Sequence, residues 1–246
     1  MRRLILSDIH ANLEALEAVL RDAAGRYDEI LCCGDVVGYN ASPGEVVDWT
    51  RSHVAHIVRG NHDRVCSHPD EWNDFNSIAW AAAVWTHGRL GRDQLEWLRA
   101  LPRGPLYLDD CQLVHGSPED EDEYLVSRFD ILPVHNFLQR KICFFGHTHL
   151  QGGWMWTRGG LVELEPPRRT EAERVYELDE DGLYMINPGS VGQPRDRDPR
   201  AAYALWDAAR RTLAFRRVPY DVEGAQSRIL SAGLPENLAH RLALGR

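Results

Sequence analysis

Early in the chain, short apolar runs stop abruptly at polar side chains. Residues 3–6 run into Ser7-Asp8-Ile9-His10-Ala11-Asn12, residues 30–33 into Gly34-Asp35, and residues 54–58 into Gly60-Asn61-His62-Asp63. Each run is short enough for a buried strand. Between the first two, Leu13, Leu16, Val19 and Leu20 recur at helical spacing. Asn12 suits the N-cap of that helix, and Gly25 its stop. Residues 43–49 predict another helix. Strands that alternate with helices predict an α/β fold, whose ligands bind beyond the carboxyl ends of the strands.

Farther along, residues 71–99 read as helical. Trp72, Phe75, Ile78, Ala79, Ala82, Trp85, Leu95, Trp97 and Leu98 supply a core face rather than a cofactor site. The pattern then changes to short strands at 106–108, 112–115, 142–145, 153–156, 175–178, 183–186, 201–206 and 212–218, separated by Gly, Pro and Asp. Residues 222–246 predict two short helices broken at Gly233-Leu234-Pro235. Their apolar residues Ile229, Leu230, Leu238, Leu242 and Leu244 are expected to pack on their own domain. No repeat and no long linker interrupts the chain, so residues 1–246 are expected to form one domain with a helical tail.

Composition narrows the class. Apolar residues make up 43% and charged residues 26% of 246 positions, as in an ordinary globular protein. No apolar run approaches the ~20 residues of a membrane span, and the opening reads as a strand rather than a signal peptide. A formal charge of -9 argues against coating long nucleic acid. A small phosphorylated substrate remains compatible if metal ions bring local positive charge. Cys32, Cys33, Cys66, Cys111 and Cys143 lack CxxC spacing and are expected to be reduced, mostly buried thiols of a cytoplasmic protein.

The polar groups beyond the apolar runs form one set: Asp8, His10, Asp35, Asn61, His62, His115, His147 and His149, with Gly34, Gly60, Gly116 and Gly146 close by. Imidazole, carboxylate and amide donors without thiolate suit Mn, Fe, Co, Ni or Zn. On an extended backbone, the members of Asp8-Ile9-His10 and of His147-Thr148-His149 would point to one side and grip one ion or straddle two. The two oxygens of Asp35 could bridge a metal pair. His53, His56, His68, His87, His135 and His240 read as surface or satisfied core residues.

Asp8-Ile9-His10, Gly34-Asp35, Gly60-Asn61-His62-Asp63, His115-Gly116 and Gly146-His147-Thr148-His149 resemble, in order and approximate spacing, the signature blocks of the calcineurin-like metallophosphoesterases. The stretches 34–39 and 187–195 resemble the small bacterial and archaeal phosphodiesterase branch. The resemblance implies a four-layer α/β/β/α sandwich, two mixed sheets flanked by helices. It implies two divalent transition-metal ions, with Mn the first expectation. Asp8, His10, Asp35 and His149 would hold one, and Asp35, Asn61, His115 and His147 the other. His62 would sit near the substrate with Asp63 orienting its imidazole.

The chemistry expected of such a centre is attack on phosphorus by a hydroxide made available by two metals. Asn61 would help bind the phosphate oxygens. His62 is a candidate general acid, with phosphate binding alone as the alternative, and Asp63 could instead be a turn carboxylate. Arg195 could contact a substrate phosphate or face solvent in a charged loop with Asp196, Arg197, Asp198 and Arg200. The acidic run at residues 119–123 is expected near the mouth of the site as a solvated loop. The leading function is a phosphodiesterase acting on a small or nucleotide phosphodiester. A phosphomonoesterase, a dinucleoside polyphosphate hydrolase and a non-catalytic protein-binding scaffold are the alternatives. The oligomeric state is left open.

Overall fold

The computed structural model describes residues 1–68 and 75–246. Trp72, part of the expected helical stretch 71–99, lies outside the described residues. Two six-stranded mixed sheets make up the interior. The first has the order β3(His56–Ile57), β2(Glu29–Cys32), β1(Arg2–Leu6), β11(Ala201–Asp207), β12(Thr212–Val218), β9(Glu173–Glu177). The second has the order β4(Leu106–Tyr107), β5(Gln112–Leu113), β6(Ile142–Phe144), β10(Leu183–Asn187), β7(Gly152–Thr157), β8(Gly160–Leu164). β8 has no counterpart among the expected strands. Its residues are mostly exposed, so no apolar run announces it.

Strand alternation explains why two sheets stack. On β1, Leu4 and Leu6 face the helices while Ile5 faces the second sheet. On β2, Ile30 and Cys32 face outward and Leu31 inward. From the second sheet, Phe144 and Ile186 meet Ile5 and Leu31 in the shared core, while Cys143 and Met185 join a separate cluster with Val134 and Trp154. Apolar positions on both faces require cover on both faces, and the helices supply the outer layer of the first sheet.

α1(Leu13–Ala23) starts at Asn12, whose side chain accepts from the Ala15 amide at 3.1 Å. α2(Pro43–His53) has Pro at its first turn. The expected 71–99 helix is divided into α4(Ser77–Arg89) and α5(Arg92–Arg99), because the chain is extended at Leu90 and Gly91. α3(Asn61–Ser67) begins within the segment read from sequence as a turn. α6(Arg128–Ile131) and the following 3-10 turn over Leu132–Phe137 are also additional. At the tail, α7(Val222–Ser231) and α8(Glu236–Leu244) turn Ile229, Leu238 and Leu242 onto Tyr39, Ala79 and Ala82. Leu230 and Leu244 remain exposed. All five cysteines are buried free thiols.

The sheet order determines where chemistry collects. β1, β2 and β3 run parallel in one sheet, and β5, β6 and β10 run parallel in the other. The loops that follow their carboxyl ends carry Asp8, Asp35, Asn61, His115 and His147.

Candidate metal centre

These loops do not continue the strands. Asp8, His10, Asp35, His147 and His149 have φ values of 52°, 49°, 56°, 65° and 61°. Left-handed conformations cost a non-glycine residue on the order of 1–2 kcal/mol, so the surroundings must impose them. The two-residue spacing therefore converges because the backbone turns sharply, and not because it is extended, as the sequence reading had it. The turns are tied across strands: the Asp8 amide donates to Gly34 O at 2.9 Å and the His10 amide to Asp35 O at 2.9 Å. Two glycines permit the approach. A Cβ on Gly60 would overlap the Asp35 carboxylate, and one on Gly146 would overlap the Ser7 hydroxyl.

Two ligand clusters result. Asp8, His10, Asp35 and His149 form one and Asp35, His115 and His147 the other, with the donor atoms in each within 4.8 Å of one another. All six side chains are buried. One ring nitrogen of each histidine points to a backbone carbonyl: His10 Nδ1 to Val37 O at 2.9 Å, His115 Nδ1 to Cys33 O at 2.7 Å, His149 Nδ1 to Gln193 O at 2.6 Å, and His147 Nε2 to Asp122 O at 3.1 Å. A carbonyl only accepts, so these nitrogens carry the proton, and in a neutral ring the other nitrogen offers a lone pair. His10 Nε2 and His149 Nε2 then face each other at 3.1 Å. Facing lone pairs repel unless a cation stands between them. Asp8 Oδ2 and Asp35 Oδ2 are buried without a hydrogen-bond partner. Orphaned carboxylate oxygens and opposed imidazole acceptors fit divalent metal.

Burial lowers His115, but the Asp35 carboxylate outweighs it and lifts the ring to about 10. Burial drives His10 down to about 4 and His147 to about 3, keeping both rings neutral. Burial also lifts Asp8 to about 7, with the Asp35 charge adding to the rise. A metal ion would relieve that cost as a proton otherwise does.

The remaining expected residues fall into distinct places. Asn61 opens α3, and its Oδ1 lies 3.2 Å from His115 Nε2. The His62 amide donates to Asp35 Oδ1 at 2.8 Å, and its ring packs between Tyr39 and Phe75 with centres 4.3 and 4.5 Å away. Asp63 corrects the sequence reading. Its carboxylate accepts from the amides of Gly60, Asp35, Val36 and Val37 at 3.0, 2.9, 2.8 and 3.2 Å. It clamps the loop after β2 to the start of α3 and makes no hydrogen bond to the His62 ring, whose Nδ1 has no hydrogen-bond partner.

Arg195 does not face solvent. Its Nη2 lies 3.3 Å from both Tyr39 Oη and Gln193 Oε1. The acidic run is solvated as expected at Glu119, Asp120, Asp122 and Glu123, but not at Glu121. Glu121 is buried and pairs with Arg59 at 2.7 Å, and Asp122 pairs with Arg64 at 2.7 Å. Beside the cage lies a cavity of about 310 Å³, lined among others by Tyr39, His62, Arg64, Phe75, Tyr124 and His147. The Tyr124 ring packs against His147 at a tilt of 41°, with centres 3.9 Å apart. The roles of Tyr124 and Arg64 at the cavity were not legible from spacing, and Phe75 was read only as core. The histidines read as bystanders stay outside both clusters.

A family model described as the calcineurin-like phosphoesterase superfamily domain matches residues 1–211. The chain belongs to the calcineurin-like phosphoesterase superfamily. A solved metallophosphoesterase from Sphaerobacter thermophilus is 37% identical with a TM-score of 0.87, and the match covers 100% of this chain and 99% of that one. An uncharacterized protein of Methanocaldococcus jannaschii is 36% identical over 251 residues, covering 98% of this chain and 97% of the relative. The structure of a hypothetical protein from Pyrococcus horikoshii, 20% identical, has the same fold with a TM-score of 0.78, covering 100% of this chain and 98% of that one. Membership in this superfamily agrees with a metal-dependent hydrolase. No helix among the described residues is long and apolar enough to cross a membrane.

Proposed function

We propose that this superfamily member is a cytoplasmic phosphodiesterase that hydrolyses a small or nucleotide phosphodiester at a binuclear centre, with Mn as the first metal to test. The observation that carries the reading is the pair of ligand clusters sharing Asp35. Asp8, His10, Asp35 and His149 would hold one ion, and Asp35, Asn61, His115 and His147 the other. When bound, such a metal pair lowers the pKa of water and offsets phosphate charge.

The chain's own groups do the rest. Carbonyls of Val37, Cys33, Gln193 and Asp122 aim the four imidazoles. Asn61 and His62 border the cavity, where an amide N–H and an imidazole can bind phosphate oxygens. His62 is also the candidate to hand a proton to the leaving alkoxide. Asp63 holds the two loops that carry Asp35 and Asn61 in register. Tyr39, Phe75 and Tyr124 make one side of the cavity aromatic, and its size, about 310 Å³, suits a small ester or nucleotide. Retention of all seven ligand candidates favours catalysis over a protein-binding scaffold.

The test compares hydrolysis of bis-p-nitrophenyl phosphate with that of p-nitrophenyl phosphate by protein loaded with Mn and assayed for metal content. The expected result is about two ions per chain and faster turnover of the diester. Preference for the monoester would replace the diester reading with a phosphomonoesterase. A loaded protein inert toward a broad phosphoester panel would favour the scaffold.

A further inference from the structure

The tail helix α8 reaches the rim of the cage. Its Arg241 guanidinium lies 5.9 Å from the centre of the Tyr39 ring, and Arg195 approaches the same ring at 5.8 Å. Tyr39 in turn packs on His10 and His62, at 4.6 and 4.3 Å between ring centres. Two guanidinium groups therefore flank one phenol that borders the metal ligands. Acidic residues outnumber basic ones in this chain, 37 to 28. Yet among the described residues neither arginine pairs with an acidic side chain. In the loop that carries Arg195, Asp196 pairs with Arg217 and Asp198 with Arg200.

Arg195 reaches Tyr39 Oη and Gln193 Oε1, and its Nε is buried with no hydrogen-bond partner. Arg241 donates through Nε at 2.8 Å to an oxygen of Arg246, the last residue of the sequence, whose carboxyl group takes up that one donor. Burial and the neighbouring Arg195 charge both push Arg241 below the ordinary guanidinium range. Two like charges on one phenol ring that lines the cavity, with the Arg195 Nε left without a partner, call for an anion. The guanidinium fork matches phosphate oxygens in particular.

We propose that Arg195 and Arg241 form a second phosphate subsite beside the metal cage, selecting substrates that carry another phosphate next to the scissile one. This deepens the phosphoesterase reading above and rests on it. The tail helices thereby contribute a specificity residue from beyond the matched family region, which ends at residue 211.

The test is calorimetric titration of Mn-loaded protein with adenosine 5′-monophosphate and with the α,β-methylene analogue of adenosine 5′-diphosphate. The two probes differ by one phosphate. Wild type is expected to bind the second about tenfold more tightly, the gain of one charge-assisted pair. Arg241→Gln and, independently, Arg195→Gln should bring that ratio close to one, while Arg241→Lys should keep part of it. Because the two arginines sit on different elements, loss of fold in one variant leaves the other to decide. A ratio near one in wild type, or a ratio that survives both glutamine variants, overturns the subsite. Bis-p-nitrophenyl phosphate turnover separates the two proposals. A ratio near one with turnover intact removes only the subsite. A tenfold ratio without turnover removes only the phosphodiesterase reading.

Discussion

Two polar networks in this molecule, one half-buried and one fully buried, use overlapping chemistry to opposite ends. Between α1 and the first sheet, Asp22 accepts from Tyr203 Oη at 2.6 Å and from Arg216 Nη2 at 2.7 Å. Arg216 Nη1 also pairs with Glu173 at 3.0 Å, and Arg26 completes the set on Glu173 at 2.7 Å. Charges balance, and every carboxylate meets a donor. In the cage, Asp8 and Asp35 keep oxygens without donors, and histidine acceptors face one another. A closed network adds stability by itself. An open one is stable only with something added, and it is the openness that marks the functional site.

The sharpest way to break this contrast is Asp35→Asn. It removes the shared ligand, so metal content and activity should fall together. The activity loss should exceed the roughly 10²–10⁴-fold that a single proton-transfer group supplies. Metal analysis beside turnover of bis-p-nitrophenyl phosphate checks it, and full retention of both ions would remove Asp35 from the shared position.

His62→Ala should lower kcat by roughly 10²-fold or more while both metals stay bound. A pH profile of kcat that loses one limb in the variant would identify proton transfer, whereas an unchanged profile with raised KM would identify phosphate binding. Turnover equal to wild type would take His62 out of the mechanism.

Asp63→Ala strips the acceptor from four buried amides, so it should destabilise the fold by about 2–4 kcal/mol, the range for losing buried charged hydrogen bonds. Denaturant unfolding measures this. Metal affinity should weaken with it, because the clamped loop carries Asp35. A stable Asp63→Ala protein with normal metal affinity would contradict the clamp.

The smallest effect belongs to the closed network. Burial raises the Asp22 carboxyl, but the Tyr203 hydroxyl and Arg216 outweigh it and hold Asp22 below the ordinary range. A group whose folded pKa is depressed contributes stability above its unfolded value of about 3.9, and loses it as pH falls through the folded value. Asp22→Asn should therefore flatten the acid limb of the stability curve below about pH 4 and cost no more than about 1 kcal/mol at neutral pH, the pair being partly exposed. Metal content should not change. Denaturant melts from pH 2 to 7 test the sign.

Much of the first sheet was legible because its strands are continuous apolar runs closed by polar residues and Gly. The cage residues were legible for the same reason, since each stands at such a boundary. β8 was not, because exposed strands carry no apolar signature. Asp63 was misread because its neighbour in sequence is His62, while its partners lie on the loop after β2. Within residues 119–123 the expectation of solvation fails at Glu121 alone, because Arg59 and Arg64 pack against it.

The order of apolar and polar positions determined by itself the α/β class, the residue types at the strand ends and the family to which they belong. Those properties are local, written in spacing and composition. Tertiary structure decided the left-handed turns that aim the ligands, the carbonyls that orient each imidazole, and the approach of Arg195 and Arg241 to one Tyr39 ring. Such features depend on contacts between segments far apart in the chain, and no period along the sequence encodes which distant loops will touch.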